Sequence, residues 1–342
     1  MRRLLTGVLS LGLLVCANAA WAQSAGNLAA NRAQSPHEGA SISHWLLRLH
    51  DAARSRSYVG TFVVTTADSM SSSRIWHVCD GQQQIERVDA LTGAARSTFR
   101  HNDKVMTFLP ERRVVISETR DALGLFPNLL SRADSSIAQQ YRLKVLGRQR
   151  VAGLDSDVVQ LVPVDALRFG YRVWTERETG VVVKLQTLDA AEGVLEQAAF
   201  SELKLGEPVS MAKLAALMDD TKGYQVKKPE LVKTTAAQEG WQFKGQVVGF
   251  KPMACHKRAN SDASARQGNT LQWVFSDGLA SVSLFIEDFD ASRHSTMVHH
   301  DRFAMGATHM ATRRLGAWWI TAVGEVPVQT LAIFAQGLER KQ

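Results

Sequence analysis

The stretch of this sequence most like a metal site is Val298-His299-His300-Asp301, with His294 close by. Neighbouring side chains on a strand point to opposite faces, so His299 and His300 chelate poorly unless a loop carries them. Solvated loop histidines are the expectation, and no metal. His77, His101 and Asp103 are residue types that general acid-base catalysis uses. No serine or cysteine stands at a spacing that singles it out as their nucleophile, so surface hydrogen bonding is the reading for all three. The chain has no glycine-rich phosphate loop, His-Glu-x-x-His helix, nucleophile elbow or Cys-x-x-Cys pair. A protein that is not an enzyme and carries no cofactor is therefore expected.

The charged clusters say less. Arg96, Arg100, Arg112 and Arg113 fit the wet faces of strands, where a phosphate-bearing ligand would also find use for them. Lys257-Arg258 and Arg313-Arg314 are either solvated turns or seats for an acidic partner, and are the candidate partner-binding residues. Cys79 and Cys255 fall in different candidate domains. A bond between them would need Cα atoms within about 7 Å. An oxidising compartment allows it, and the sequence leaves it open.

The elements that must position these residues start after a leader. Arg2 and Arg3 precede an apolar run from Leu4 to Val15, and Ala20-Trp21-Ala22 supplies a small-residue cleavage signature. Residues 1–22 are therefore expected to be a secretory signal peptide. Its removal lowers the formal charge from +7 to about +5, a mild excess that suits acidic peptides or lipid phosphates. No nucleic-acid partner is expected, and a homo-oligomer is left open. Residues 23–40 are small and polar and expected to be disordered. Ile42, Trp45, Leu46, Leu49 and Ala53 then recur at helical spacing.

From Tyr58 the period changes to two. The clearest unit is Arg168 to Leu188, two β-rich runs around Glu176-Arg-Glu-Thr-Gly180, which predicts a hairpin with one apolar and one mixed face, covered on one side only. Ten or eleven consecutive strands between residues 41 and 206 predict one large, curved, mostly antiparallel sheet. A sheet of that size must close or wrap around something, and helices in its mouth would leave a partial barrel around an apolar hollow. Ser210 can cap a helix through Met218, and residues 207–240 read as a linker. Residues 241–342 predict a small α+β domain whose last helix opens at Pro327, with Val328, Leu331, Ala335 and Leu338 on one stripe.

Many separate motifs now carry a resemblance. Tyr58-x-Gly60-Thr61-Phe62-Val63, Arg74-Ile75-x-His77, Asp80-Gly81, Arg150 to Gly153 and Phe169-Gly170-Tyr171-Arg172-x-Trp174 stand in one order with Ser276 to Val282, Phe285-Ile286-Glu287 and Gly324 to Pro327. Over residues 43–337 the chain resembles the periplasmic RseB/MucB regulators of the extracytoplasmic sigma factor. The resemblance implies a large domain similar to the lipoprotein carriers LolA and LolB, a half-open barrel capped by helices, and a smaller C-terminal domain. It also implies a periplasmic protein that binds the periplasmic segment of a transmembrane anti-sigma factor, protects it from proteolysis, and releases it to lipid or lipopolysaccharide. Val64-Thr65 departs from the family, where an aromatic is more usual. A periplasmic lipid or lipoprotein carrier is the alternative. Phe62, Trp76, Phe99, Phe108, Tyr171 and Trp174 are the candidate lining of a lipid cavity, with Leu123, Leu125 and Phe126 as its rim, against the reading that they are filled core.

Overall fold

Trp45, Leu46 and Leu49 are buried along one side of α1 (Ile42–Ser55), as the 3.6-residue turn requires, with Ala52 rather than the expected Ala53 completing the stripe and Ile42 half-buried. The computed structural model describes residues 42–119, 126, 137–229, 231–259, 269–294 and 302–341. The leader and the polar tail, together with Leu123, Leu125, His299, His300 and Asp301, lie outside the described residues.

After α1 come β1 (Tyr58–Thr66), β2 (Met70–Cys79), β3 (Gln84–Ala90), β4 (Ser97–His101), β5 (Lys104–Leu109) and β6 (Val114–Thr119). The short α2 (Ile137–Gln140) leads into β7 (Tyr141–Val151), β8 (Leu154–Pro163), β9 (Gly170–Glu176), β10 (Val182–Leu188) and β11 (Val194–Leu205). These strands pair antiparallel in the order β6-β5-β4-β3-β2-β1-β11-β10-β9-β8-β7. Strands β7 and β11 are four spacings apart, which would be about 19 Å in a flat sheet. Residues of the two nevertheless come within 8 Å, so this end of the sheet curls steeply. A register shift between Val145 and Gly147, with Gly147 at φ 112°, supplies the bend.

Residues 207–240 are folded onto both sheets. Ser210 Oγ accepts from Lys213 N at 3.2 Å and caps α3 (Met211–Asp219), which buries Leu214 and Met218. Then β12 (Gln225–Lys227) pairs in parallel with β6 and completes a 12-stranded sheet. Four residues on, β13 (Leu231–Lys233) pairs with a strand of the second sheet.

The second domain contains β14 (Trp241–Phe243), β15 (Lys251–Ala259), β16 (Asn269–Ser276), β17 (Ser281–Asp288) and α4 (Ala291–His294). It continues with β18 (Arg302–Met305), β19 (Thr308–Leu315), β20 (Trp318–Gly324), α5 (Val328–Gln336) and β21 (Leu338–Arg340). Its sheet runs β13-β15-β16-β17-β20-β19-β18, and β14 pairs separately with β21. Alternation decides its faces: Cys255, Leu271, Leu284, Ile286, Ile320 and Ala322 enter one core with Leu331, Phe334 and Ala335 of α5. Pro327 stands at the cap just before that helix rather than as its first residue, Leu338 falls beyond it in β21, Val328 is only half-buried, and Phe334 takes a place in the stripe. The fold is mainly β.

The hairpin of β9 and β10 departs from expectation in one respect. It is covered on both sides, because Trp174 and Arg168 are as buried as Tyr171 and Val173. Trp174 donates Nε1 to Gln149 Oε1 at 2.8 Å on β7, and Lys184 Nζ sits 4.5 Å from the centre of its ring. The curl of the sheet brings β7 across a face that a flat sheet would leave wet.

Candidate functional site

The seven described apolar candidates do not line one hollow. Pairing aligns Tyr58 with His77, and His77 with Glu86, so Phe62, two residues from Gly60, shares their face while Trp76 points the other way. On the inner face Phe62 and Phe200 hold Phe126 between them at 5.4 and 5.2 Å. Tyr171 packs with Trp45, Leu46 and Leu49 of α1, and Trp174 joins the cluster around Val181 and Val183. Phe99 and Phe108 lie on the outer face with Val78, Ile85 and Met106, roofed by Leu214 and Met218 of α3, and Trp76 packs at their margin. The register separates the two sets, and four of the seven, Phe99, Phe108, Tyr171 and Trp174, are fully buried in packed core. Among the described candidates, Trp76 lines an open hollow. This space of about 400 Å³ is walled by Val59, Leu214 and Leu217 and rimmed by Arg74, Arg87, Lys204 and Lys213. Guanidinium carbons of Arg74 and Arg87 lie 5.4 and 5.2 Å from the centre of its ring.

The two sheets are clasped by a buried cation. Arg168 Nη1 donates to Asp277 Oδ2 at 2.6 Å, with both side chains 0% exposed. Its Nε and Nη2 donate to Asp165 at 3.0 and 3.1 Å, and Nη2 also reaches Val248 O at 2.5 Å. Tyr141 OH donates to the same Asp277 oxygen at 3.3 Å, while Asp277 Oδ1 accepts from Leu279 N and Ala280 N. Burial pushes the Asp277 carboxyl above its ordinary range, opposed by those amides and by Arg168. The Arg168 guanidinium is raised further; burial disfavours its charge, and Asp165 and Asp277 more than compensate. Beside the clasp Thr330 Oγ1 donates to Leu167 O at 2.8 Å.

Residues of both sheets line a cleft of about 750 Å³. The large sheet contributes Gln82 and Gln83 from the β2–β3 turn, Gln84 from β3, Arg100 from β4, Asn102 and Asp103 from the β4–β5 turn, and Glu118 and Thr119 from β6, with Arg54 from the end of α1. The second sheet contributes Leu231, Met253, Ala254, His256, Arg258, Gln272, Val274 and Phe285. Apart from Met253, which sits at a bulge in β15, the residues from β15, β16 and β17 have the opposite parity to the α5 core, so the face turned from α5 forms the wall. Across the gap Arg258 Nη2 stands 3.6 Å from Glu118 Oε1.

The remaining candidates are placed as follows. Arg258 faces the cleft, but its neighbour Lys257 points away and pairs with Glu239 at 2.7 Å. Arg313 donates to Ala335 O and Gln336 O at 2.9 Å, closing the C-terminus of α5. Arg314 lies over the Phe289 ring at 3.8 Å. Cys79 and Cys255 are both free thiols. His77 is not a surface residue. It is fully buried, stacks on Tyr58, places Nε2 3.1 Å from Ala53 O and sets Nδ1 3.4 Å from Glu86 Oε2. Burial works against its charge, yet Cys79 and Glu86 raise its pKa to about 9. Donation to Ala53 therefore ties the last turn of α1, with Arg54, to the sheet. His101 stays near the surface opposite Gln83 Oε1 at 3.1 Å. His294 is buried, 3.0 Å from Glu287 and stacked on Trp319, rather than solvated.

Fold and cleft together define a mainly β protein of two sheet domains clasped around a shared polar groove. A family model described as the MucB/RseB N-terminal domain matches residues 41–218, and one described as the MucB/RseB C-terminal domain matches residues 235–339. The chain belongs to the MucB/RseB family, whose members are regulators rather than enzymes. It is 28% identical over 312 residues to the sigma factor AlgU regulatory protein MucB of Pseudomonas aeruginosa, covering 86% of this chain and 89% of that protein. It is 22% identical over 293 residues to the sigma-E factor regulatory protein RseB of Haemophilus influenzae, covering 86% and 89%. A crystal structure of MucB in complex with MucA(peri) is similar with a TM-score of 0.66 and 26% identity, over 88% of this chain and 99% of that one.

Proposed function

We propose that this protein is a periplasmic negative regulator of an envelope-stress sigma factor. It binds the periplasmic segment of a transmembrane anti-sigma factor in the shared cleft, protects that segment from proteolysis, and yields it when lipid or lipopolysaccharide binds. The observation that carries the reading is the likeness to MucB bound to MucA(peri), which extends over both domains and not the large sheet alone. A lipid or lipoprotein carrier needs only the first domain. Clasping the second through a buried Arg168–Asp277 pair favours a surface that both domains build.

Release by lipid is a linkage: whatever binds better to the free protein weakens partner binding by the same factor. A hundredfold effect corresponds to about 2.7 kcal/mol, and each buried methylene contributes about 0.8 kcal/mol, so a few carbons of an acyl chain suffice. The hollow at Trp76, whose lining sets Arg74, Arg87, Lys204 and Lys213 against the single carboxylate of Glu207, favours an anionic amphiphile there over one among the filled clusters under α1. The test is a protease-protection assay with the cognate anti-sigma periplasmic domain. Slower cleavage with the regulator and restored cleavage on adding lipopolysaccharide are expected. Unchanged cleavage with the regulator present rejects the shield; protection that no lipid lifts rejects the sensor.

A further inference from the structure

We infer that the cleft is selective for an extended acidic segment, one of whose carboxylates takes Arg258 from Glu118. This rests on the reading that the cleft holds the partner peptide, and adds the chemistry of that peptide. Arg258 is an under-used cation. Its contact with Glu118 is 3.6 Å long, beyond the 2.7–2.9 Å of a charge-assisted hydrogen bond, and its Nε is buried with no hydrogen-bond partner. A guanidinium offers a planar fork that a carboxylate fills with two parallel bonds, and Glu118, arriving from the opposite wall, does not fill it. Among the described residues, Arg54, Arg100 and Arg258 open into the cleft with His256, against the carboxylates of Glu118 and Asp103.

The rest of the wall suits a polypeptide. Met253 is 54% exposed at the cleft, offering a pliable apolar contact. Alternation along β15 brings Ala254, His256 and Arg258 to successive positions along the groove, with Met253 at the bulge before them, and Gln272 presents an amide beside His256. An extended chain alternating acidic and apolar side chains matches that order, its backbone within reach of the amides. A carboxylate on Arg258 takes the place that Glu118 holds at 3.6 Å.

The experiment uses the mature protein and two fluorescein-labelled hexapeptides, Leu-Glu-Val-Glu-Leu-Glu and its glutamine counterpart, read by fluorescence anisotropy. The acidic peptide is expected to bind at least tenfold more tightly. Arg258→Gln is expected to abolish most of that preference, and Glu118→Gln to strengthen acidic binding severalfold by removing the competitor. A purely structural bridge gives the opposite sign for Glu118→Gln, namely weaker binding. Equal affinity for the two peptides, indifference to Arg258→Gln, or weakening by Glu118→Gln overturns the inference. The cognate anti-sigma periplasmic domain is titrated in parallel. Equal binding to wild type and Arg258→Gln overturns the acid clamp and leaves the proposed function standing; no binding to wild type overturns both.

Discussion

Replacing Arg168 by methionine tests the clasp between the domains. The guanidinium satisfies Asp277, Asp165 and Val248 O at distances from 2.5 to 3.1 Å, in a site where it and Asp277 are 0% exposed. Arg168→Met leaves the Asp277 charge to two backbone amides and the Tyr141 hydroxyl, and removing one partner of a buried pair costs about 3–5 kcal/mol. Asp277→Asn leaves Arg168 with Asp165, which is 27% exposed and so better solvated; a smaller loss of about 2 kcal/mol is expected. In the double variant neither member of the pair leaves an orphaned charge behind, so its loss should fall short of the sum by about 1–3 kcal/mol. Urea denaturation followed by tryptophan fluorescence gives all four corners of the cycle. Limited proteolysis across residues 219–240 reports whether the domains have come apart. A loss below about 1 kcal/mol for Arg168→Met, or strict additivity in the double variant, refutes the assignment of Arg168 as the clasp.

Three further outcomes are expected. His77, with a pKa raised from 6.5 to about 9, stabilises the fold fully below pH 6.5 and loses that contribution as pH rises through 9. The total is about 3 kcal/mol; thermal midpoints measured from pH 6 to 10 should fall in wild type and much less in His77→Gln, and a level wild-type profile excludes a charged His77. At Gly60 a Cβ would stand 2.7 Å from Glu202 O and from the Phe200 ring, so Gly60→Ala should lose about 1–3 kcal/mol in denaturant titrations; an unaffected midpoint contradicts this packing. Ellman titration of the unfolded mature protein should count both Cys79 and Cys255 as thiols, and a shift in gel mobility on reduction would contradict their separation.

Local signals were readable from the chain and long-range ones were not. The Trp45 and Leu49 spacing, the Ser210 cap and the Gly180 turn each depend on a few adjacent residues, and each formed as expected. Arg168 looked like a residue on a mixed strand face because its partner Asp277 lies 109 residues away. Phe62 and Trp76 were grouped by chemistry; only the pairing of Gly60 with Ile75 shows that they face opposite ways. Strand β15, Lys-Pro-Met-Ala-Cys-His-Lys-Arg-Ala, carries no clear alternation because one face is cleft and the other is core near a sheet edge. The cleft itself is made of glutamines, arginines and short turns that, strand by strand, look like solvated surface. Arg100 and Arg258 were noticed as cations, but nothing local to either reveals that they share a groove.

The connecting segment gives an edge strand to each sheet, β12 to the first and β13 to the second, with the chain from Lys227 to Leu231 as the slack between them. A fully extended span of that length covers about 14 Å, which caps how far the neighbouring margins can travel. Any larger excursion must peel off a three-residue edge strand, either Gln225 to Lys227 or Leu231 to Lys233. The connection thus acts as a mechanical fuse, and under load the first thing to yield is a short ribbon rather than either core.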